Sequence, residues 1–314
     1  MIPLHDRTSR RFHSDAFGLQ IESDFVLPGA GPEPGPARPY RLQLRRTKPA
    51  ALPGVTDEPR YLCNLQSYAG SAYAMLEGET GDVLFIYGRQ AVFHLSSDRA
   101  MLRCAVPTSD AREWERVLMD TVLWTIALLR GCELLHASAV ATAHGVVAFI
   151  ATTGSGKSSL ASEFLRRGAR LFSDDVVALG DPAGEIVAYP GPPVMNLPVR
   201  VNPETVGGHE VLHDFGAERW IHLTDRRPPA QGLAAAVLLH RSAGAATGCE
   251  RAQATSLTLL PHALSLPHLG ERARRRFELF GAVAATVPVW MLQADLAVST
   301  AELADLIETR IGRA

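Results

Sequence analysis

Residues 151–159 read Ala-Thr-Thr-Gly-Ser-Gly-Lys-Ser-Ser, and the fold turns on how they are understood. They fit the phosphate-loop pattern [Gly/Ala]-x4-Gly-Lys-[Ser/Thr], with Ala151 in place of the usual first glycine. Such a match means little without its flanks. Here the apolar run "GVVAFIA" (145–151) predicts a strand before the loop, and "KSSLASEFLRRG" (157–168) predicts a helix after it, closed by Gly168. In that setting the glycines let successive backbone N–H groups turn inward around an anion, and the helix N-terminus adds its partial positive charge. Thr153, Gly154, Ser155, Gly156, Lys157, Ser158 and Ser159 are therefore the expected phosphate-contacting residues. Lys157 would reach the β- and γ-oxygens and Ser158 would ligate Mg²⁺.

A bound phosphoryl group needs somewhere to go. The first carboxylates downstream of that helix are the adjacent Asp174 and Asp175, which follow the strand candidate "ARLFS" and so should stand at its C-terminal end, where open α/β sheets bind ligands. Two neighbouring acids can divide the work, one holding a metal and the other facing an acceptor hydroxyl. The same "SDD" also suits a plain turn or a helix cap, and His136, at a strand end, suits a structural histidine as well as a catalytic one.

The regions around this core differ in texture. Residues 1–105 form a smaller, β-rich N-terminal domain by their short apolar runs "YRLQL", "SAYAML" and "DVLFIYG", separated by Gly, Pro and Asp. Within them "PGAGPEPGPARP" (28–39) is too rich in Pro and Gly for helix or strand and reads as a surface loop. The second domain, 106–314, opens with "AREWERVLMDTVLWTIALLRG" (111–131), a helix with Asp110 at its N-cap and Gly131 as its stop. Strands "LLHASAVAT", "ARLFS", "VVALG" and "GLAAAVLLHR" then alternate with helical segments, an α/β layout. Residues 189–204, interrupted by five prolines, are expected to be irregular. A helix "LGERARRRFELFGAVAATV", an extended "PVWMLQA" and a last helix "STAELADLIETRI", begun by Ser299 or Thr300 with Glu302 near N3, close the chain.

Composition narrows the setting. The chain has 314 residues, 46% apolar and 20% charged, with a net charge of -2, which supplies no broad attraction to nucleic acid or to an anionic membrane. No segment reaches the roughly 18 uninterrupted apolar residues of a membrane span; the nearest, "RVLMDTVLWTIALLRG", carries Asp120. Cys63, Cys104, Cys132 and Cys249 lack CxxC spacing, so neither a zinc site nor a disulfide framework is expected. A cytoplasmic protein follows from these features.

The stretch "LHASAVATAHGVVAFIATTGSGKSSLASEFLRRGARLFSDDVVAL" (135–179) resembles the catalytic domain of HPr kinase/phosphorylase. His136 lies 15 residues before Ala151 and Asp174 lies 23 after it, so histidine, loop and acidic pair all fall in the family's register. The resemblance implies an α/β P-loop kinase core of the HPr kinase and phosphoenolpyruvate carboxykinase type, using ATP and Mg²⁺ to phosphorylate a serine. It makes Asp174 the catalytic base, His136 the residue that orients it, Lys157 the phosphate lysine, and Ser158 with Asp175 the metal-binding pair. Closed homo-oligomers are also implied, although no segment marks the interface.

The chain departs from that family in two places. Ser159 stands where a glutamate is usual, and "MNLPVRVN" (195–202) replaces the Arg-Gly-(Ile/Leu)-Gly signature tied to the reverse, phosphorolytic reaction. The stretches "FGLQIESDFVLPG" (17–29), "YPGPP" (189–193) and "VPVWML" (287–292) look like the divergent HPr-kinase-like proteins found beside lasso-peptide and other peptide-maturation genes. In that subgroup the implied acceptor is a serine at the end of a precursor peptide. A small-molecule kinase acting on free serine or a hydroxy acid, and a non-catalytic ATP-binding regulatory protein, remain open. Arg200, Arg219, Arg226 and Arg227 are candidate clamps for the acceptor or the phosphoryl group, while "ERARRRFE" (271–278) reads as an exposed helix face.

Overall fold

The computed structural model describes residues 11–31, 39–52, 60–68, 71–88, 91–106, 113–152, 154–225, 227–266 and 270–312. Asp110, Thr153, Arg226 and most of the 28–39 loop lie outside them. The chain forms two compact units. One comprises residues 1–15 and 19–115, the other residues 16–18 and 116–314.

The first unit is built on β1 (Phe12–Ala16), β2 (Leu19–Ser23), β3 (Tyr40–Arg46), β4 (Arg60–Tyr68), β5 (Ser71–Glu77), β6 (Val83–Tyr87), β7 (Ala91–Leu95) and β8 (Met101–Ala105), in the spatial order β1-β2-β3-β8-β7-β6-β5-β4. β2, β3 and β8 run parallel, whereas β4 to β8 are joined by antiparallel pairings. Alternation sets its inner face. Leu19 and Ile21 on β2, Leu42 and Leu44 on β3, and Phe85 and Phe93 on β6 and β7 are each at most 1% exposed. Phe25 meets Trp114 edge-on at 5.8 Å, and the Arg46 guanidinium lies over both rings.

The second unit is mixed α/β. The helix that leads into it, its first residues 113–115 belonging to the first unit, has three parts: α1 (Glu113–Val117), a π-helical turn (Leu118–Val122) and α2 (Leu123–Leu129), with Gly131 at φ 114 just past the end. There follow β9 (Glu133–Thr142), β10 (Gly145–Ile150), α3 (Lys157–Arg166), β11 (Arg170–Ser173), β12 (Val176–Gly180), β13 (Val187–Tyr189), β14 (Val194–Pro198), β15 (His209–Asp214), β16 (Glu218–Leu223), β17 (Leu233–Arg241), β18 (Gly248–Arg251), α4 (Ser256–Leu259), β19 (Ala263–Leu264), α5 (Ala273–Thr286), β20 (Val289–Ala294) and α6 (Thr300–Ile311). The main sheet runs β13-β12-β9-β10-β17-β20-β18, with β11 and β19 also paired to β9. At its centre β10, β17 and β20 are parallel.

That centre is covered on both sides, which is why its strands read as unbroken apolar runs. Val147 and Phe149 of β10 and Val237 of β17 face Leu160 and Phe164 of α3 and Leu303 and Ile307 of α6. Ala148, Ile150 and Leu238 face Leu279, Phe280 and Val283 of α5. Arg167 ties α3 to α6 through Asp305 at 2.7 Å, Glu308 at 2.8 Å and the Ala301 carbonyl at 2.8 Å. Ser299 caps α6, accepting from the Glu302 N–H while the Glu302 carboxylate accepts from its own.

The 189–204 segment differs from the irregular course expected of it. β14 lies inside it, paired with β16 at the edge of a three-stranded sheet, β14-β16-β15. Pro190, Pro192 and Pro193 precede this strand, Pro198 ends it and Pro203 opens a 3₁₀ turn. At an edge, a missing N–H costs no ladder bond. The arginines of 271–278 are engaged as ion pairs: Arg272 and Arg276 with Glu133, Arg274 with Glu278 and Arg275 with Asp181. Among the described residues no helix is long and apolar enough to cross a membrane.

Candidate active site

The loop after β10 turns on two glycines. Gly154 (φ 81) and Gly156 (φ 100) hold left-handed backbone that other residues adopt only with strain, and Gly156 is the N-cap of α3. Thr152 and Ser155 join their hydroxyls across the turn at 2.8 Å. A methyl group on Gly154 would meet nothing within 4 Å, so the mouth of the loop is open.

Lys157, the first residue of α3, is 6% exposed and folds back under the loop. Its ammonium donates to the Ala151 carbonyl at 3.1 Å and lies 3.0 Å from His136 Nε2. Burial lowers its pKa, and the charges of Asp175 and Asp174 oppose that shift. With Lys157 donating to Nε2, the His136 ring carries its proton on Nδ1. There the Asp175 carbonyl accepts at 3.0 Å and the Asp175 carboxylate lies at 3.3 Å.

Asp174 and Asp175 occupy the break between β11 and β12. The Val176 N–H donates to the Asp174 carbonyl at 2.8 Å, and Asp175 stands at φ 66 on the tip of this tight turn. That backbone is strained for a side-chain-bearing residue, and such strain gathers at functional sites. The turn sends the two carboxylates different ways. Asp175 faces His136, while Asp174 Oδ1 accepts from Ser138 at 2.7 Å and Ser158 at 3.0 Å, and its Oδ2 from the Asn196 N–H at 3.1 Å. Burial and then the Asp175 charge raise the Asp174 pKa, against those hydrogen bonds. His136 and Ser138, two apart on β9, share a face, and the register places His136 opposite Val176.

His136, Lys157, Ser158, Asp174 and Asp175 are thus gathered at one place, with Gly154, Ser155 and Gly156 in the loop above them. Ser158 meets Asp174, not the Asp175 expected to share a metal with it. Of the four arginines, Arg219 pairs with Asp214 at 3.4 Å, Arg227 donates to the Gly191 carbonyl, Arg200 is exposed after β14, and Arg226 is outside the described residues.

Three neighbours escaped the sequence reading: Ser138, Asn196 and Asp120. Asp120 sits in the π-helical turn, where its Oδ2 accepts from Asn196 Nδ2 at 3.3 Å and Arg116 Nε at 3.4 Å. Burial raises its pKa to about 7; Arg116 and Asn196 oppose the rise, and Asp175 and Asp174 add to it. With Phe17, Trp124, Asp174, Asp175 and Asn196 it lines a small cleft. The signal for it was a lone acid within the apolar run 116–131. His262 is a fourth; burial lowers its pKa, helped by the Lys157 ammonium.

Two of the short stretches that suggested a peptide-modifying protein meet beside this cleft. The Phe17 N–H donates to the Pro190 carbonyl at 2.8 Å, and Gly18 lies against the Tyr189 ring, where a methyl group would approach to 3.2 Å.

The residues present fit a nucleotide with a divalent cation. The space beside Gly154 is open, and Ser158 and Asp174 bring two hard oxygens within 3.0 Å. Among the described residues no group of three or more His, Cys, Asp or Glu side chains is placed to hold a metal by itself, so the phosphates and water would complete the coordination.

No family model matches the chain, and no curated protein does. Among solved structures, the HPr(Ser) kinase/phosphatase from Coxiella burnetii is similar at 15% identity over 56% of this chain and 91% of that chain, with a TM-score of 0.29.

Proposed function

We propose that the protein is an ATP-dependent seryl kinase that transfers the γ-phosphoryl group to a serine hydroxyl of a peptide or protein, with a ribosomal precursor peptide of the lasso type as its acceptor. The observation that carries this reading is the convergence of Lys157, Ser158, His136 and the Asp174–Asp175 pair on one open glycine loop. Mg²⁺, when bound with ATP, would neutralise developing charge on the phosphates. Lys157 binds the β- and γ-oxygens. Asp174, whose pKa is raised, takes the proton of the acceptor hydroxyl at its carboxylate, and His136 holds Asp175 through Nδ1. Phe17 and the 189–193 segment wall the acceptor side, which supports a peptide acceptor by the likeness of those stretches to the peptide-maturation proteins.

One contact favours a second division of labour. Ser158 bonds to Asp174, the arrangement in which a loop serine and a strand-end aspartate share a metal. Asp175, exposed and beside His136, would then be the base. Single-turnover transfer from γ-labelled ATP to peptides ending in serine tests both. Loss of about 10²–10⁴ in rate for Asp174→Asn, with Mg²⁺ dependence unchanged, supports Asp174 as base. The same loss in Asp175→Asn, together with a raised Mg²⁺ requirement in Asp174→Asn, assigns the roles the other way. Undiminished transfer in both variants refutes the proposed site. Labelling of free serine in place of any peptide refutes the peptide acceptor, and ATP binding without transfer leaves a regulatory protein.

A further inference from the structure

The register of the parallel strands fixes where Arg241 lies. Ile150, the last residue of β10, pairs with Leu238 of β17, so β17 continues three residues beyond it and delivers Arg241 to the carboxyl edge from which the glycine loop departs. The arginine is pinned from behind. Its Nη2 donates to the carbonyls of Val298 at 2.6 Å and Leu296 at 2.8 Å, and lies 3.4 Å from that of Asp295. The turn carrying those carbonyls is itself held, because the Asp295 carboxylate accepts from the N–H groups of Ala297, at 2.7 Å, and Gly244.

The other edge of the guanidinium faces the loop. Nη1 lies 3.8 Å from where a methyl group on Gly156 would stand, and among the described residues it has no hydrogen-bond partner. Nε is buried and unpartnered as well. A guanidinium whose Nη2 is saturated by carbonyls and whose Nη1 stands beside Gly156 has little rotamer freedom left to lose, and Nη1 can donate to a phosphate oxygen. The place of Gly156 agrees with this, since a side chain there would enter the space between the cation and the loop.

We infer that Arg241 binds the polyphosphate of the nucleotide, as a second cation across the glycine loop from Lys157. The inference rests on the nucleotide-binding reading of that loop. An arginine that only braced the 295–298 turn would affect folding and leave ligand selectivity untouched.

Calorimetric titration of the full chain separates these cases, with Mg·ATP, inorganic tripolyphosphate and adenosine as probes. Arg241→Gln should bind Mg·ATP and tripolyphosphate about tenfold more weakly, the loss expected for a hydrogen bond to a charged group, with adenosine unchanged. Wild-type affinity for both anions in Arg241→Gln, while Lys157→Ala loses them, overturns the role of Arg241 alone. A wild-type chain that binds neither anion overturns the loop reading and this inference together. Should Arg241→Gln fail to fold, phenylglyoxal modification of the wild-type chain decides. Mg·ATP and tripolyphosphate should each slow the Arg241 adduct at least several-fold and adenosine should not; equal modification under all three conditions overturns the inference.

Discussion

Asp120→Asn should make the protein more stable, and increasingly so as pH rises. The aspartate is 11% exposed, and burial carries its pKa from 3.8 to about 7. Below pH 4 it is protonated whether the chain is folded or not, and contributes nothing to pH dependence. Between pH 4 and 7 the folded state keeps a proton that the unfolded state has released, so stability falls as pH rises, and above 7 the penalty is complete. At about 1.4 kcal/mol per pH unit the full penalty is roughly 4 kcal/mol. Asparagine keeps an acceptor for Arg116 and for Asn196 Nδ2 without the charge. Denaturant unfolding of both proteins, without nucleotide or metal, at pH 4.5 and pH 8 should show the advantage of Asp120→Asn growing by roughly 3 to 4 kcal/mol across that interval. An advantage that is constant with pH would refute the argument, because it would mean that Asp120 is ionised alike in both states. The penalty comes first from burial, with smaller contributions from the Asp175 and Asp174 charges, and Arg116, which also pairs with Glu218 at 3.1 Å, offsets only part of it.

Other expectations concern the frame around the site. Glu133, 1% exposed, is held by Arg272 at 2.7 Å and Arg276 at 2.8 Å; Glu133→Ala leaves two cations without their anion and should cost about 3–5 kcal/mol in denaturant unfolding. Gly191→Ala would drive a methyl group into the buried Ser173 hydroxyl, at a cost of about 1–3 kcal/mol, and adding Ser173→Ala should restore most of it in a double-mutant cycle. Asp175→Gly relieves the positive φ and should raise thermal stability by the equivalent of about 1 kcal/mol; a fall in melting temperature would show that the turn is unstrained.

Local rules made the loop legible. A strand, a glycine turn and a helix follow one another in sequence, so period and spacing identify them without knowledge of the rest of the chain. The same is true of the Ser299 cap, whose partner Glu302 is three residues away. Asp174 and Asp175 were visible as residues but not as orientations, because the turn that parts their carboxylates depends on a positive φ at an aspartate, which sequence pattern does not encode. Asp120, Ser138 and Asn196 were hidden for a different reason. Ser138 and Asn196 reach Asp174 from β9 and β14, and Asp120 reaches Asn196 from the π-helical turn; Asn196 meets Asp174 through its backbone N–H, a contact that any residue type other than proline could make. β14 itself lay in a stretch whose prolines argued against a strand, and only its edge position removes that objection. The loop is a contiguous motif, whereas the cleft beside it is assembled from three separate segments, around residues 120, 174 and 196. Under the proposed function, specificity for an acceptor would reside in the part of the site that tertiary packing builds, and variation at Asp120, Asn196 or Phe17 should then change which hydroxyl is phosphorylated before it changes which nucleotide is bound.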